Sequence, residues 1–238
     1  MKTFRSQSGP FAERPYYTSE DIEKICVDEL HQTGLFPSNP SPIRIDRFIE
    51  KRFKINHVYE DLADGILGYT KFGMNGVEEI GVSKALEDEG TEVSARRVKT
   101  TLAHESGHGL LHAHLFVFGQ QPRSLFGDSL DASGLKILCR NNAIEGLQEN
   151  KSGRYDGRWW EHQANLVIGP LLLPRSLTIT ALEPFLVETG MLKTKILDEM
   201  RREGAISSLA EIFDVNSIVA RIRIDQLFPV AKTNQLTL

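Results

Sequence analysis

Two histidines four residues apart, His104 and His108, and the glutamate after the first, Glu105, are the residues best suited to chemistry. If the stretch is helical, this spacing brings both imidazoles to one face of the helix, one above the other. Two neutral imidazoles so placed can bind one Zn²⁺, and the adjacent carboxylate can accept a proton from a water on the metal. The H-E-x-x-H pattern therefore predicts a zinc site with Glu105 as its general base.

The residues around this pattern favour a real site over a chance match on a core helix. Val98, Leu102 and Glu105 recur at helical spacing, which predicts a helix. Several of its residues are small enough to let another backbone come close, and two of these are glycines, which weaken a helix by about 1 kcal/mol each. Such a cost is easier to understand at a functional site than in plain packing. These small residues are Ala103, Ser106, Gly107 and Gly109.

A catalytic zinc takes three protein ligands and leaves one position for water, so a third ligand is required. His112 lies about 12 Å along a continuous helix from His104, which is too far to share the ion. As a lone histidine in an apolar stretch, it is better interpreted as a core residue, with orientation of the site as the alternative. The third ligand is therefore expected from a different element.

Glu161 is the candidate for that third ligand. It shares a helical face with Ala164 and Ile168, and a carboxylate on an apolar face has to be paired, hydrogen-bonded or bound to a metal. The alternatives are that Glu161 reaches solvent or pairs with an arginine, or that His162 is the ligand instead. His162 points about 100° away from Glu161 on a regular helix.

The two stretches occur in a distinctive order. L-A-H-E-S-G-H at 102–108 is followed by E-H-Q-A-N at 161–165 and L-L-L-P at 171–174. This order resembles the ImmA/IrrE family of metallopeptidases, and the resemblance covers residues 42–174. It implies that Glu161 is the third zinc ligand beside the two histidines. It also implies limited proteolysis of a regulatory protein, such as a repressor.

The connection between the two motifs, residues 119–157, is longer than the family pattern, and Val167-Ile168-Gly169 stands where Phe-Ala-Ala is usual. A connection of this length is usually functional or mobile, so a lid over the substrate cleft is one interpretation. Cys139 within it is a minor candidate for an inhibitory zinc ligand, and a small buried apolar residue is the alternative. The candidates for orienting the site or stabilising an oxyanion are His112, His162 and Tyr155.

Composition bounds the class of protein. With 238 residues, of which 40% are hydrophobic, the chain can form one large domain or one domain with a small appendage. A formal net charge of −4 gives no general attraction to nucleic acid or to an anionic membrane. The two cysteines form no C-x-x-C pair, and no apolar run approaches the roughly 20 residues of a membrane span. We therefore expect a soluble cytoplasmic protein with reduced thiols.

The pattern of elements predicts an α+β fold in three segments. Residues 1–41 hold a helix capped by Thr18 or Ser19 and then a proline-rich connector. Residues 42–174 form the mainly helical peptidase core, with a small antiparallel sheet packed on the H-E-x-x-H helix. Asn75-Gly76 in that segment predicts a hairpin between strands over 66–72 and 77–82. Residues 175–238 are expected to be helical, including one helix through Leu192, Ile196, Leu197 and Met200.

Residues 207–223 resemble a helix-turn-helix, which leaves two alternatives. If the unit packs on the peptidase, its core residues are Ile212, Phe213, Val215, Ile218 and Ile222. If the chain is a DNA-binding or zinc-sensing regulator, the residues that face a DNA groove are Asn216, Ser217, Arg221 and Arg223. The flanking Asp214 and Asp225 and the acidic net charge favour packing, so nucleic acid is not the expected partner.

Overall fold

The computed structural model describes residues 2–5, 13–117, 132–133, 136–140, 158–189 and 194–229. Within them the chain has an α+β fold of nine α-helices and three small sheets. The helices are α1 (Ser19–Gln32), α2 (Ile45–Phe53), α3 (Lys84–Asp88), α4 (Glu92–Leu111), α5 (Ala113–Val117), α6 (Trp159–Leu172), α7 (Arg175–Leu182), α8 (Arg202–Phe213) and α9 (Ser217–Leu227). The strands are β1 (Lys2–Arg5), β2 (Glu13–Tyr16), β3 (Val58–Glu60), β4 (Ile66–Gly73), β5 (Gly76–Ser83), β6 (Ala132–Ser133), β7 (Lys136–Arg140), β8 (Leu186–Thr189) and β9 (Thr194–Leu197).

The largest sheet has five strands in the order β3-β5-β4-β7-β6. The predicted hairpin is confirmed as β4 and β5, and Gly76 supplies the positive φ of 110° at its turn. The sheet was predicted to be antiparallel, and three of its described strand pairs are. The fourth pair departs from the prediction, because β3 runs parallel to β5. The chain reverses twice after β3, at the loop before β4 and at the hairpin, so β5 returns in the direction of β3.

Strand β7 comes from the long connection predicted between the two motifs. It pairs antiparallel with β4, and this pairing places Cys139 opposite Gly68. The residues of that connection at 119–131, 134–135 and 141–157 lie outside the described residues, and the predicted lid falls on them. The part of the connection that the structure describes forms two strands of the sheet, β6 and β7.

Helices α4 and α6 pack along each other and carry the two predicted motifs. Thr91 caps α4 through a reciprocal bond with Ser94, each backbone N–H donating to the other's hydroxyl at 3.0 Å. A Cβ on Gly107 would lie 3.1 Å from both the Cα atom and the carbonyl oxygen of Ala164. The small residue at this position lets the two backbones approach, as the sequence predicted.

One main apolar core draws on all three predicted segments of the chain. Helix α1 begins after its capping residue Thr18, as expected, and buries one apolar face in this core. Examples of core residues from the three segments are Ile22, Leu30, Phe48, Leu111, Leu209 and Phe213.

Among the described residues, no single helix is long and apolar enough to span a membrane. One pair of helices, Trp159–Leu172 with Arg175–Phe185, is long and apolar enough when taken together, and it is bent by 55° at its break.

The region after α7 departs from the prediction. A helix was expected through Leu192–Met200, but the chain forms the antiparallel hairpin β8-β9. Val187, Thr189 and Thr194 are β-branched, and such residues fit a strand better than a helix. Apolar spacing alone did not distinguish the two structures.

The predicted helix, tight turn and helix at the C-terminal end are confirmed as α8 and α9. Asp214 in the turn adopts a left-handed conformation with φ of 51°. Phe213 and Val215 are buried, as predicted for a unit that packs on the rest of the molecule. The prediction was wrong for Ile218 and Ile222, which are exposed because α9 turns Val219, Ala220, Arg223 and Ile224 inward.

Candidate metal centre

Three side chains from α4 and α6 converge at one buried point. His104 Nε2 lies 3.1 Å from His108 Nε2 and 3.2 Å from one carboxylate oxygen of Glu161. The other carboxylate oxygen of Glu161 lies 3.5 Å from His108 Nε2. Ligands about 2.0–2.1 Å from a tetrahedral zinc lie about 3.3 Å from one another. The separations within this group match that spacing.

The hydrogen bond to Asn165 determines which nitrogen of His104 faces the centre. His104 Nδ1 lies 2.9 Å from the side-chain oxygen of Asn165. An amide oxygen only accepts, so Nδ1 carries the proton and donates it. In the neutral ring Nε2 is left with a lone pair directed at the centre, as metal binding requires.

A chain of hydrogen bonds has the same effect on His108. The Gln163 side chain donates from Nε2 to the Pro15 carbonyl at 2.8 Å, so its oxygen faces His112. His112 Nε2 donates to that oxygen at 3.0 Å, which leaves His112 Nδ1 as an acceptor. His108 Nδ1 therefore donates to His112 Nδ1 at 3.0 Å, and the lone pair of His108 Nε2 faces the centre.

The two histidines and Glu161 thus bring hydrogen-bond acceptors together at one point. The two imidazole lone pairs face each other, and neither oxygen of Glu161, which is 5% exposed, has a hydrogen-bond partner among the described residues. Buried acceptors left this way are costly unless a cation or a proton lies between them. A group of two imidazoles and one carboxylate fits a metal ion, and zinc accepts such a set.

The pKa values in the metal-free chain reflect the same crowding. Burial opposes the charged form of His104, but Cys139 and Glu161 beside it raise its pKa well above the usual range. Burial and the neighbouring His104 lower the pKa of His108 well below the usual range. Burial also lowers the pKa of His112 to about 3. A proton on His104 and a metal ion therefore compete for the same lone pair.

Glu105 stands beside this group without belonging to it. Its side chain is fully buried, and the Thr70 hydroxyl donates to Oε2 at 2.6 Å. The other oxygen, Oε1, has no hydrogen-bond partner among the described residues. Burial raises the pKa of this carboxyl to about 8. Glu105 is therefore held in place through Oε2, and its Oε1 is left to accept a proton.

A second group of potential ligands shares His104 with the first. The ligand atoms of His104, Glu105 and Cys139 all lie within 4.8 Å of one another, and all three residues are buried. Burial raises the pKa of the Cys139 thiol to about 12. Strand β7 thus brings a thiol to the Glu105 side of the centre.

The predicted site residues separate into two sets. The structure brings together His104, His108, Glu161 and Glu105, with His112 in direct contact with His108. His162 is exposed, one position away from Glu161. Tyr155 lies outside the described residues. The sequence did not predict roles for Thr70, Asn165 and Gln163. Of these, only Asn165 gave a signal, since it follows Glu161 by four residues on the same face of α6.

The chain matches no protein-family model, and no curated protein matches it. The resemblance to the ImmA/IrrE family therefore rests on the two motifs alone.

Proposed function

We propose that this chain is a zinc-dependent metallopeptidase that carries out limited proteolysis of a regulatory protein. The observation that carries the proposal is the convergence of two imidazole lone pairs and the Glu161 carboxylate at the spacing of zinc ligands. Zinc accepts this donor set, and the two imidazoles and one carboxylate leave a position open for water. The substrate class, a repressor or other regulatory protein, follows only from the resemblance to the ImmA/IrrE family.

Glu105 supports an enzyme over a metal centre that only senses or binds. It is not one of the three converging ligands, yet it is buried beside them with Oε1 unpartnered. A carboxylate in that position is suited to proton transfer, and burial makes it a stronger base than a carboxylate in water. A regulator that uses zinc only for structure or sensing has no need of such a group.

The residues of the chain divide the reaction between them. A bound zinc ion supplies Lewis-acid activation of a water molecule and of the scissile carbonyl. Glu105 accepts the proton of the attacking water on Oε1 and returns it to the leaving amine. Thr70 holds the other oxygen of this carboxylate in place. Asn165 and His112 keep the two histidine rings in the tautomer that binds metal.

The alternative, a DNA-binding regulator, receives no support from the C-terminal helices. Arg223, one of the predicted groove contacts, is 3% exposed and donates to Glu23 at 2.6 Å. Arg221 makes a two-pronged pair with Glu203 on α8. The guanidinium of Arg223 is therefore not available to a DNA groove, and that of Arg221 is already paired with a carboxylate.

The test separates metal binding from catalysis. Purified parent protein should carry about one zinc per chain, and His104→Ala should lose it. Glu105→Gln should keep its zinc and lose cleavage, because the amide cannot accept the proton. Glu89→Gln, in an exposed loop, is the matched control and should keep both.

The cleavage readout is mass spectrometry of new protein N-termini in cells that express each variant. Proteins cleaved with the parent should remain intact with Glu105→Gln. Equal cleavage by Glu105→Gln and the parent would contradict the role of Glu105. Bound zinc without cleavage by any variant would support the zinc-sensing alternative.

A further inference from the structure

The position of Cys139 is not explained by the three-ligand centre. This thiol is fully buried in β7, opposite Gly68 of β4, and its sulfur lies within 4.8 Å of the ligand atoms of His104 and Glu105. It comes from the long connection between the two motifs, whereas the ligands come from the two helices. A strand from an insertion therefore places a soft metal ligand at the centre.

The side on which Cys139 lies is informative. His104 belongs to both groups of potential ligands, one with His108 and Glu161 and the other with Glu105 and Cys139. In a three-ligand zinc site, the fourth position must be next to the general base, because the base has to reach the water bound there. Cys139 is grouped with Glu105 and not with His108 and Glu161, so the thiol lies beside the position that water needs.

We propose that Cys139 is a fourth, inhibitory ligand that closes the metal centre when the ion binds. The proposal rests on the proposed function and goes beyond it, since it assigns regulation to the same site. Thiolate is the ligand that zinc binds at about 2.3 Å in closed tetrahedral sites. The thiol proton is released to solvent as the metal binds. With sulfur in the fourth position, no position is left for water.

The burial of the centre agrees with a closed state. His104, Glu105 and His108 are all 0% exposed. Among the described residues, β7 pairs with β4 on one edge and with the two residues of β6 on the other. Activation therefore requires Cys139 to leave the metal.

Cobalt(II) in place of zinc tests the sulfur ligand directly, because cobalt bound to thiolate absorbs in the near ultraviolet by charge transfer. The parent loaded with cobalt should show this absorption. Cys139→Ala and Cys139→Ser should still bind cobalt, but without the charge-transfer absorption. Cys26→Ala is the matched control: Cys26 is the other buried cysteine, and its removal should leave the absorption unchanged.

Two further measurements complete the test. The first is zinc affinity, measured by competition with a coloured chelator. It should fall at least about ten-fold in Cys139→Ser, because even the loss of a residue that only supports a ligand has an effect of that size. If the chain is a peptidase, Cys139→Ala should cleave faster than the parent.

The outcomes distinguish the two proposals. A parent that binds cobalt in a tetrahedral site without the sulfur absorption would overturn the role of Cys139 and leave the three-ligand centre intact. A parent that binds neither cobalt nor zinc would overturn the metal centre and the proposed function with it.

Discussion

At the scale of single residues, the side-chain amide of Gln163 has the widest effect on the centre. Its N–H donates to the Pro15 carbonyl, so its oxygen must face His112, and this orients the protons of two histidines in turn. The tautomer of a metal-binding histidine is thus fixed by residues that never touch the metal. This chain of bonds joins the N-terminal strand β2 to the metal centre.

His112→Ala should lower zinc affinity about 10- to 100-fold, because it removes the acceptor that holds the proton of His108 on Nδ1. The measurement is chelator competition at constant pH. The matched control is His162→Ala, since His162 is exposed and should leave the affinity unchanged. An unchanged affinity in His112→Ala would mean that His108 keeps its tautomer without this partner.

The sequence predicted the residues that share a motif and missed those that meet only through folding. His104 and His108 are four residues apart on one helix, and Glu161 stood out as a carboxylate on an apolar face. Thr70 gave no such signal, because its contact with Glu105 joins a strand to a helix 35 residues away. Gln163 was missed for the same reason, since its partner Pro15 lies in the first strands.

At the scale of elements, the distance between β4 and α4 governs the surroundings of Glu105. A Cβ on Gly68 would lie 2.6 Å from Thr101 Cγ2 and 2.8 Å from the carbonyl oxygen of Gly81. It would also lie 3.1 Å from Glu105 Oε1. The strand can approach the helix this closely only because residue 68 has no side chain.

Gly68→Ala should therefore lower the free energy of unfolding by about 1–3 kcal/mol, the usual cost of overpacking a tight contact. Urea denaturation measures it. Gly73→Ala, in the same strand, is the control, because its nearest neighbour is the flexible side chain of Glu78 at 3.4 Å. That change should stay within about 0.5 kcal/mol. A change within about 0.5 kcal/mol for Gly68→Ala as well would show that β4 can shift away from α4 without cost.

Elements with specific local signals were predicted well. The Asn75-Gly76 turn and the cap at Thr18 located the β4-β5 hairpin and α1. Strand β9 was mistaken for a helix, because four apolar residues at a suitable spacing fit both structures. The place of β7 in the sheet could not be predicted, because its pairing with β4 joins residues about 70 positions apart and depends on tertiary contacts.

At the scale of the whole molecule, Arg223 ties the three predicted segments together. Its guanidinium on α9 donates to Glu23 on α1 and, at 2.9 Å, to the carbonyl of Leu173 at the end of α6. The side chain is 4% exposed in this pair. Burial lowers the pKa of Arg223, and the adjacent Glu23 opposes that change. For a packed helix pair the sequence predicted a core of apolar residues alone, but the buried Arg223 also belongs to it.

The two arginines of α9 therefore give the last prediction. Arg223→Ala should lower the free energy of unfolding by about 3–5 kcal/mol, because it leaves Glu23 without its buried partner. Arg221→Ala should cost less than about 1 kcal/mol, because its pair with Glu203 is exposed. Urea denaturation of both variants measures the contribution of each arginine to packing. DNA binding at moderate salt measures its contribution to nucleic-acid contact. Salt-sensitive DNA binding lost in Arg221→Ala, with Arg223→Ala as stable as the parent, would favour the DNA-binding regulator.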